Sequence, residues 1–304
     1  MFLWPCALNF IFLFNKNNFF KLLSKSLFFM DVENWEEKLA VLRSGVVPAS
    51  KDDFKNALVS AVARLVPDER FGVLLSGGID SSLIAFLCKQ RTDNFVCYSV
   101  GLEGSPDLAA AEFVADHFSL KLKTRVISSD EVPSLIKDVV SVLRSPDVVD
   151  LGVGCVCLAA GRLAEADGVR FVFSGLGSDE LLAGYSSFLK TDDVQQEAWR
   201  RIFGVVKDVK RDVALAGALG LDVLFPFLDF DVIKTAMGLP PDLKLKAEHK
   251  KFVLRLIAED FSFPEEIVWR RKKAAQYGSG FDRIISGLAK QNGLSKKAFV
   301  ESLV

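Results

Sequence analysis

The sequence predicts an α/β fold in which a parallel sheet carries helices on both faces. From residue 71 to about residue 191, short apolar runs alternate with longer stretches of helical periodicity. Such alternation is typical of strand–helix–strand units, which build parallel sheets that are covered on both sides. A segment rich in glycine and serine, residues 76–82, joins the first apolar run to a helical pattern, as a loop at the ligand edge of such a sheet does.

The elements follow one another in order. Residues 52–66 predict a helix, because apolar residues recur on one face and Pro67 ends the pattern. Compact apolar runs then predict strands at residues 71–75, 95–100, 120–127 and 169–173. Apolar residues three and four positions apart predict further helices that contain residues 83–88, 106–117, 129–143 and 152–166. After about residue 191 we expect no strand, only helices and loops that pack across the ligand edge of the sheet.

Composition narrows the classes of function. Half of the 304 residues are hydrophobic, and the net charge of −1 does not favour a nucleic-acid partner. The five cysteines form no CxxC pair, so we expect reduced thiols and a cytoplasmic location. Cys155 and Cys157 lie in an apolar stretch, which indicates core packing rather than a metal site. The two histidines are far apart, which excludes a histidine-rich metal site.

The first 29 residues differ from the rest, with eight of the 26 phenylalanines, three lysines and no acidic residue. One interpretation is a signal peptide or membrane anchor, but the apolar run ends at Asn15, far short of the ~20 residues that a span requires. The other interpretation is upstream sequence translated from a misassigned start, with Met30 as the first residue. We favour the second, and divide the chain into residues 1–29, a helical segment over 30–66 and an α/β domain over 67–304.

Residues 76–82, with the sequence Ser-Gly-Gly-Ile-Asp-Ser-Ser, have the chemistry of a phosphate site. A helix N-terminus offers N–H groups and a partial positive charge, glycines let the backbone approach a phosphate, and serines add donors. Asp80 would repel a phosphate unless a cation such as Mg²⁺ lay between them. The alternative is an ordinary turn in which Asp80 or Ser81 caps the helix. The segment lacks the GxxxxGK[ST] pattern, so a kinase or GTPase has no support.

A second unit repeats this arrangement. The predicted strand over residues 169–173 runs into Ser-Gly-Leu-Gly-Ser-Asp-Glu at residues 174–180. By itself this segment is equally consistent with an ordinary glycine turn, in which Asp179 and Glu180 interact favourably with the helix dipole. Two such loops after two strands of one parallel sheet, however, would converge on one ligand.

Together the two loops resemble the synthetase domain of the asparagine synthetase family, whose first loop is that of the N-type ATP pyrophosphatases. Three further segments match in order: residues 98–107, Arg211-Asp212 with 226–229, and 251–255 with 269–280. The resemblance covers about residues 54–285. It implies an adenine nucleotide α-hydrolase-like fold with a five-stranded parallel sheet and a helical C-terminal region.

The resemblance also implies roles for individual residues. Leu74 and Val100 would contact adenine through their backbones, and Ser174 and Gly175 would face AMP. Pyrophosphate would be held by Ser76, Gly77, Gly78, Asp80, Ser81 and Ser82. Asp80 would also bind Mg²⁺.

Charged residues outside the first loop leave more than one interpretation. By resemblance, Lys272 would neutralise charge as a carboxylate attacks the α-phosphate, although the basic run 270–273 is also consistent with a solvated surface. Asp179 and Glu180 would complete the metal or substrate shell, or cap a helix. Lys251 and Arg255, one turn apart, are equally consistent with surface charges.

The implied enzyme is an ATP-dependent carbon–nitrogen ligase. It would adenylate a carboxylate, first of all that of aspartate, release pyrophosphate and form an amide with ammonia. ATP and Mg²⁺ would be its cofactors, and a separate glutaminase subunit is one source of the ammonia. We expect no glutamine hydrolysis by this chain, because neither Met1 nor Met30 is followed by the cysteine nucleophile of such glutaminases.

Two departures from the family pattern weaken the amide-forming half of this prediction. Leu176 stands where asparagine synthetases usually carry a glutamate, and leucine cannot accept a proton. Leu224 stands where an arginine usually precedes the Pro-Phe-Leu-Asp segment. The alternatives are an ATP-binding regulator or partner subunit without catalysis, and an amide- or lactam-forming ligase with another acid. A tRNA-modifying or NAD-forming enzyme is disfavoured by the missing CxxC pair and the lack of basic excess.

Overall fold

A computed structural model describes residues 34–145, 147–271 and 274–303 of the chain. Residues 1–29 and Met30, on which the predicted start depends, lie outside these ranges. Lys272, the predicted catalytic lysine, lies outside them as well.

Five parallel strands form the central sheet, in the order β3-β2-β1-β4-β5. They are β1 (Phe71–Leu74), β2 (Phe95–Leu102), β3 (Leu122–Ile127), β4 (Phe171–Phe173) and β5 (Asp222–Leu224). Val73 of β1 pairs with Cys97 of β2 on one side and with Phe173 of β4 on the other. Because β2 and β4 flank β1, the strand order reverses between β1 and β4. Ligands of such sheets bind at the carboxyl ends of the strands beside this reversal.

Burial explains the residue patterns of the strands. Every residue of β2 is buried, which accounts for its continuous apolar run. The edge strand β3 is only partly buried and carries charged residues such as Lys123 and Arg125. Charged side chains on an edge strand also discourage pairing with another chain.

The C-terminal region contains strands that the residue pattern did not predict. β5 lies at the edge of the sheet and pairs with β4, with Leu224 opposite Phe173. A short antiparallel pair, β6 (Leu245–Lys246) and β7 (His249–Lys250), follows. The expectation of no strand after about residue 191 was therefore wrong, because strands this short show no recognisable period. The five-stranded parallel sheet that the resemblance implied is confirmed.

Helices precede, connect and cover the strands. The first seven are α1 (Trp35–Ser44), α2 (Lys51–Leu65), α3 (Ile79–Lys89), α4 (Pro106–His117), α5 (Val132–Leu143), α6 (Val148–Ala166) and α7 (Ser178–Leu181). The remainder are α8 (Val194–Gly204), α9 (Val206–Gly217), α10 (Phe230–Gly238), α11 (Pro241–Lys244), α12 (Phe252–Asp260), α13 (Glu265–Val268), α14 (Ala275–Gly278), α15 (Phe281–Gln291) and α16 (Lys296–Ser302). The predicted helices are confirmed, except that residues 129–131, predicted as the start of α5, form a separate 3-10 turn, and α6 begins before its predicted start at residue 152. Within the described ranges, no helix combines the length and apolar character that a bilayer span requires.

Local sequence explains where several helices begin. Ser50 and Asp53 form a capping box at α2, in which each side chain pairs with the other residue's backbone N–H. The Ser105 side chain caps α4, whose first residue is Pro106. These polar groups satisfy N–H donors that a helix start would otherwise leave unpaired.

One large apolar cluster joins the first described helix, the sheet and the C-terminal region as far as Val268. It includes Trp35 of α1, Phe71 of β1 and Ile257 of α12. The indole N–H of Trp35 donates to the carbonyl oxygen of Ile202 in α8 at 2.9 Å. A second cluster around α5, α6 and α15 covers the part of the sheet near Val100. The helical C-terminal region therefore shares its core with the sheet.

Candidate active site

A cavity of about 330 Å³ lies at the carboxyl ends of β1, β2 and β4, beside the reversal of strand order. The fold predicts a ligand at this position. The predicted site residues that line it are Leu74, Ser76, Gly78, Asp80, Ser81, Val100, Ser174, Gly175 and Asp179. Gly77, Ser82 and Glu180 do not line it.

The first loop, residues 76–82, turns tightly between β1 and α3. Gly77 has a φ of 67°, and a Cβ there would lie 2.4 Å from a backbone atom of α4, so the position requires glycine. The Ser81 hydroxyl donates to the carbonyl oxygen of Gly78 at 3.2 Å and accepts from the N–H of Ser76 at 3.2 Å. Gly78 precedes α3, and no described side chain caps this helix. The alternative of a side-chain-capped turn was therefore wrong, and the helix N-terminus faces the cavity.

A buried lysine links the first loop to the second. Lys251 is 2% exposed, and its Nζ lies 2.5 Å from Asp80 and 2.8 Å from Asp179. It also donates to the Ser178 hydroxyl at 3.0 Å. Burial lowers the pKa of Lys251, but the charges of Asp179 and Asp80 outweigh burial and raise it, so the ammonium group stays charged. The interpretation of Lys251 as a surface charge was wrong.

The two loops pack directly on each other. A Cβ on Gly175 of the second loop would lie 3.2 Å from the Cβ of Asp80 in the first. A Cβ on Gly184, just after α7, would lie 1.7 Å from Asp179 Oδ1 and 2.5 Å from Lys251 Cε. Glycine at these positions therefore leaves room for the lysine and its two carboxylates.

Two arginines add positive charge to the cavity wall. Arg270 donates to the carbonyl oxygen of Ser76 at 3.3 Å and to Asp107 at 2.7 Å. Arg255 is 6% exposed and donates to the carbonyl oxygen of Lys250 at 3.0 Å. Burial lowers the pKa of Arg255. The interpretation of Arg255 as a surface charge was therefore wrong. The interpretation of the run 270–273 as a solvated surface does not hold for Arg270.

Glu180 and Ser82 lie behind the cavity wall. Glu180 is 3% exposed and accepts a hydrogen bond from the hydroxyl of Tyr185, which does line the cavity. Burial and the charge of Asp179 raise the pKa of Glu180 to about 7. Ser82 is fully buried in α3. These two predicted site residues are therefore buried beside the cavity and do not line it.

A cluster of ion pairs on α9 forms another wall. Arg211 donates to Asp208 at 2.6 Å and to Asp212 at 2.8 Å, and lies 3.5 Å from Asp150 of α6. The Cys157 thiol donates to Asp212 at 3.8 Å, and burial raises the pKa of this thiol. Cys157 therefore belongs to the cavity wall, whereas Cys155 lies in the core as predicted.

Several lining residues were missed or given no role from the sequence. Asp107, Asp208 and Gln276 line the cavity. Asp107 and Gln276 lie in matched segments but had no role of their own, and Asp208 lies outside all the matched segments. Leu176, the departure from the family pattern, also lines the cavity. Leu224, the second departure, is 2% exposed in β5 and faces the core instead.

Comparisons with known proteins identify the family of the chain. The Asparagine synthase family model matches residues 53–214 and 204–297. Asparagine synthetase [glutamine-hydrolyzing] 1 of Arabidopsis thaliana is 35% identical over 252 residues, which are 76% of this chain and 43% of the relative. The Asparagine synthetase [glutamine-hydrolyzing] of Brassica oleracea is 33% identical over 279 residues, which are 83% of this chain and 47% of the relative.

The chain spans about half the length of the curated relatives it matches. Among solved structures, NMN synthetase from Francisella tularensis is 14% identical with a TM-score of 0.43, covering 84% of this chain and 86% of that one. That likeness is too distant to carry an argument. The family model, by contrast, spans most of the chain and includes both loops of the cavity. The chain belongs to the asparagine synthase family.

Proposed function

We propose that the protein is an ATP-dependent ligase that activates a carboxylate as its adenylate and then converts it to an amide. One observation carries this proposal: two Gly/Ser loops after β1 and β4 meet at one cavity around the buried cation of Lys251. Phosphates are recognised by such helix N-termini, serine hydroxyls and cations. Family membership supports the use of ATP.

The phosphate end of ATP would lie between the two loops. Ser76, Gly78 and Ser81 offer backbone and hydroxyl donors there, and Lys251 and Arg270 offer positive charge. Cations at this end would stabilise the charge that develops when a carboxylate attacks the α-phosphate and pyrophosphate leaves. We retain Lys272 as a further cation in this role.

Magnesium is the second cofactor of the proposal, and Asp80 is its proposed ligand. The Oδ1 of Asp80 is buried and has no hydrogen-bond partner among the described residues. In the described ranges, no group of three or more carboxylate, histidine or cysteine side chains has the arrangement of a metal site. A single carboxylate such as Asp80 fits Mg²⁺, which is often held by one or two carboxylates together with substrate phosphates. Mg²⁺ would neutralise phosphate charge at Asp80.

Aspartate is the proposed acid and ammonia the proposed nitrogen donor, as the names of the relatives suggest. The ammonia would be free or released by a separate glutaminase subunit. No nucleic acid or membrane enters this proposal. We also propose the cytoplasm as the compartment, which the free thiols of Cys88, Cys97, Cys155 and Cys157 support.

The test is pyrophosphate release by the full chain with ATP, Mg²⁺ and aspartate, with and without ammonium. We expect release that depends on aspartate, and asparagine and AMP when ammonium is present. Asp80→Asn should abolish release, whereas Asp116→Asn, an exposed change on α4, should not. Absence of release with aspartate and with a panel of other amino-acid carboxylates would overturn the ligase proposal.

A nucleotide-binding protein without turnover is the second candidate, and Leu176 is the observation that favours it. This side chain lines the cavity but can neither take a proton nor orient ammonia. If Leu176 limits amide formation, Leu176→Glu should raise the yield of asparagine per pyrophosphate released. Leu176→Gln is the matched control, because glutamine has nearly the same shape as glutamate and cannot ionise. ATP binding without cleavage in all three proteins would favour the second candidate.

A further inference from the structure

Gln276 is a buried amide that the proposed chemistry does not use. It is 8% exposed and lines the cavity. Its Oε1 is buried and has no hydrogen-bond partner among the described residues. Because buried polar groups are nearly always hydrogen-bonded, such an oxygen at a cavity wall indicates a donor that arrives with a ligand.

Packing holds this side chain in a defined place. The carbonyl oxygen of Ser279, which follows α14, accepts a hydrogen bond from the N–H of Leu102 at 2.9 Å, so the segment is tied to the end of β2. On the other side, a Cβ on Gly152 of α6 would lie 2.9 Å from the Cβ of Gln276. Gln276 therefore stands between the end of β2 and the first turns of α6.

Gln276 packs on the α6 side of the cavity, which has an apolar wall. Val100 of β2 and Val153, Val156 and Ala160 of α6 form this wall. The backbone and hydroxyl donors proposed for phosphate lie in the loops after β1 and β4, and Arg270 reaches the first loop from Asp107, which follows β2. The ion pairs of α9 border this wall at the start of α6, where Arg211 lies 3.5 Å from Asp150. A nucleotide whose phosphates occupy the loops would thus place its flat base against this apolar wall, beside Gln276.

We propose that the carboxamide of Gln276 reads the amine edge of the adenine of ATP, an inference that rests on the proposed function. Oε1 would accept a hydrogen bond from the exocyclic 6-amino group, and Nε2 would donate to the neighbouring ring nitrogen. Glutamine pairs with adenine in this two-bond arrangement elsewhere. A base without the 6-amino group would leave Oε1 buried and unpaired, and a site built around a hydrogen bond rejects such an analogue.

The test compares the affinities of the full chain for ATP, for purine riboside triphosphate and for inorganic tripolyphosphate, by calorimetry. Purine riboside triphosphate lacks only the 6-amino group, and tripolyphosphate has no base. We expect the wild type to bind ATP about 10-fold more tightly than purine riboside triphosphate. Gln276→Leu should bind the two nucleotides equally, and should bind tripolyphosphate as the wild type does.

Two further variants make the test specific. Gln291→Leu, at the exposed end of α15, should keep the wild-type preference for ATP. Gln276→Glu keeps an acceptor for the 6-amino group and should keep most of the preference, which also guards against failure of Gln276→Leu to fold. Unfolding should show Gln276→Leu to be at least as stable as the wild type, because it removes a buried unpaired oxygen.

The outcomes separate this inference from the proposed function. A Gln276→Leu protein that still prefers ATP, or one that loses tripolyphosphate binding in parallel, would overturn the inference alone. A Gln276-dependent preference without pyrophosphate release would support the inference and overturn the ligase. A wild type that binds no ATP would overturn both.

Discussion

In the site, charged side chains that lie far apart in the sequence balance one another. Lys251 pairs with Asp80, which lies 171 positions earlier, and with Asp179. Arg270 similarly holds Asp107, 163 positions earlier. Because all of these groups are largely shielded from water, removing one partner leaves the others with an uncompensated charge, which costs more than the loss of an exposed pair.

Lys251→Met should therefore destabilise the protein by about 2–3 kcal/mol, somewhat less than a fully buried pair would, because two half-buried carboxylates lose the buried cation between them. Mg²⁺ should recover more stability in this variant than in the wild type, since it can supply the missing charge. Urea unfolding with and without Mg²⁺ measures both effects, and the exposed Lys234→Met is the control. A Lys251→Met protein as stable as the wild type would contradict the ion cluster.

Glu180→Gln should change how stability depends on pH. The pKa of Glu180 is raised to about 7 in the folded protein, above the unfolded value of ~4.3. Between these values the folded state holds a proton that the unfolded state has lost, so stability falls as pH rises toward 7 and then levels off. Glutamine cannot ionise, and its oxygen can accept the hydrogen bond of Tyr185.

The variant should therefore gain up to ~3 kcal/mol over the wild type at pH 8 and almost nothing at pH 4.5. Urea unfolding at the two pH values measures the difference. The exposed Glu248→Gln should show no such pH-dependent gain. Equal stability differences at both pH values would show that Glu180 does not titrate as described.

Two loops and the elements that flank them determine the shape of the site. Residues 76–82 and 174–180 were recognisable because glycine, serine and aspartate cluster between an apolar run and a helical pattern. Their contact was predicted from the rule that parallel strands present their carboxyl ends at one edge. The third component is the turn before α12, where Lys251 has a φ of 56°. No sequence pattern predicts this turn, since a lysine seldom adopts the left-handed backbone conformation.

Gly184→Ala tests this packing of elements. The added Cβ would overlap Asp179 Oδ1 and lie 2.5 Å from Lys251 Cε, so the lysine and its carboxylates would have to separate. We expect a loss of about 2–4 kcal/mol of stability together with weaker ATP binding. Gly217→Ala, at the end of α9 with open space around it, should be neutral or slightly stabilising. Unfolding and calorimetry of both variants provide the comparison.

The described part of the molecule packs as one body around the sheet, because one apolar cluster contains Trp35, Phe71 and Ile257 and a second joins α15 to the sheet near Val100. Residues that bind ATP in the proposal come from loops after β1 and β4 and from the C-terminal segment with Arg270. Nucleotide binding should therefore stabilise the global fold rather than one loop, since a ligand that binds only the folded state shifts the unfolding equilibrium.

ATP with Mg²⁺ at about 100 times its dissociation constant should add about 2.7 kcal/mol to the free energy of unfolding. The added stability should shrink when EDTA removes the metal, and should be lost in Asp80→Asn. Asp116→Asn should keep it. A wild-type melting temperature that ATP and Mg²⁺ do not change would contradict nucleotide binding at this cavity.

The sequence by itself determined the α/β class, most of the strands and helices and the two phosphate-type loops. Side-chain periodicity records these elements because backbone geometry sets which neighbours share a face. Tertiary structure alone decided that β5 joins the sheet, that Lys251 is a buried ion-pair partner, that Glu180 and Ser82 lie behind the cavity wall, and that Gln276 faces it. These outcomes depend on which distant segments pack together, and on the burial that follows, neither of which a local pattern encodes.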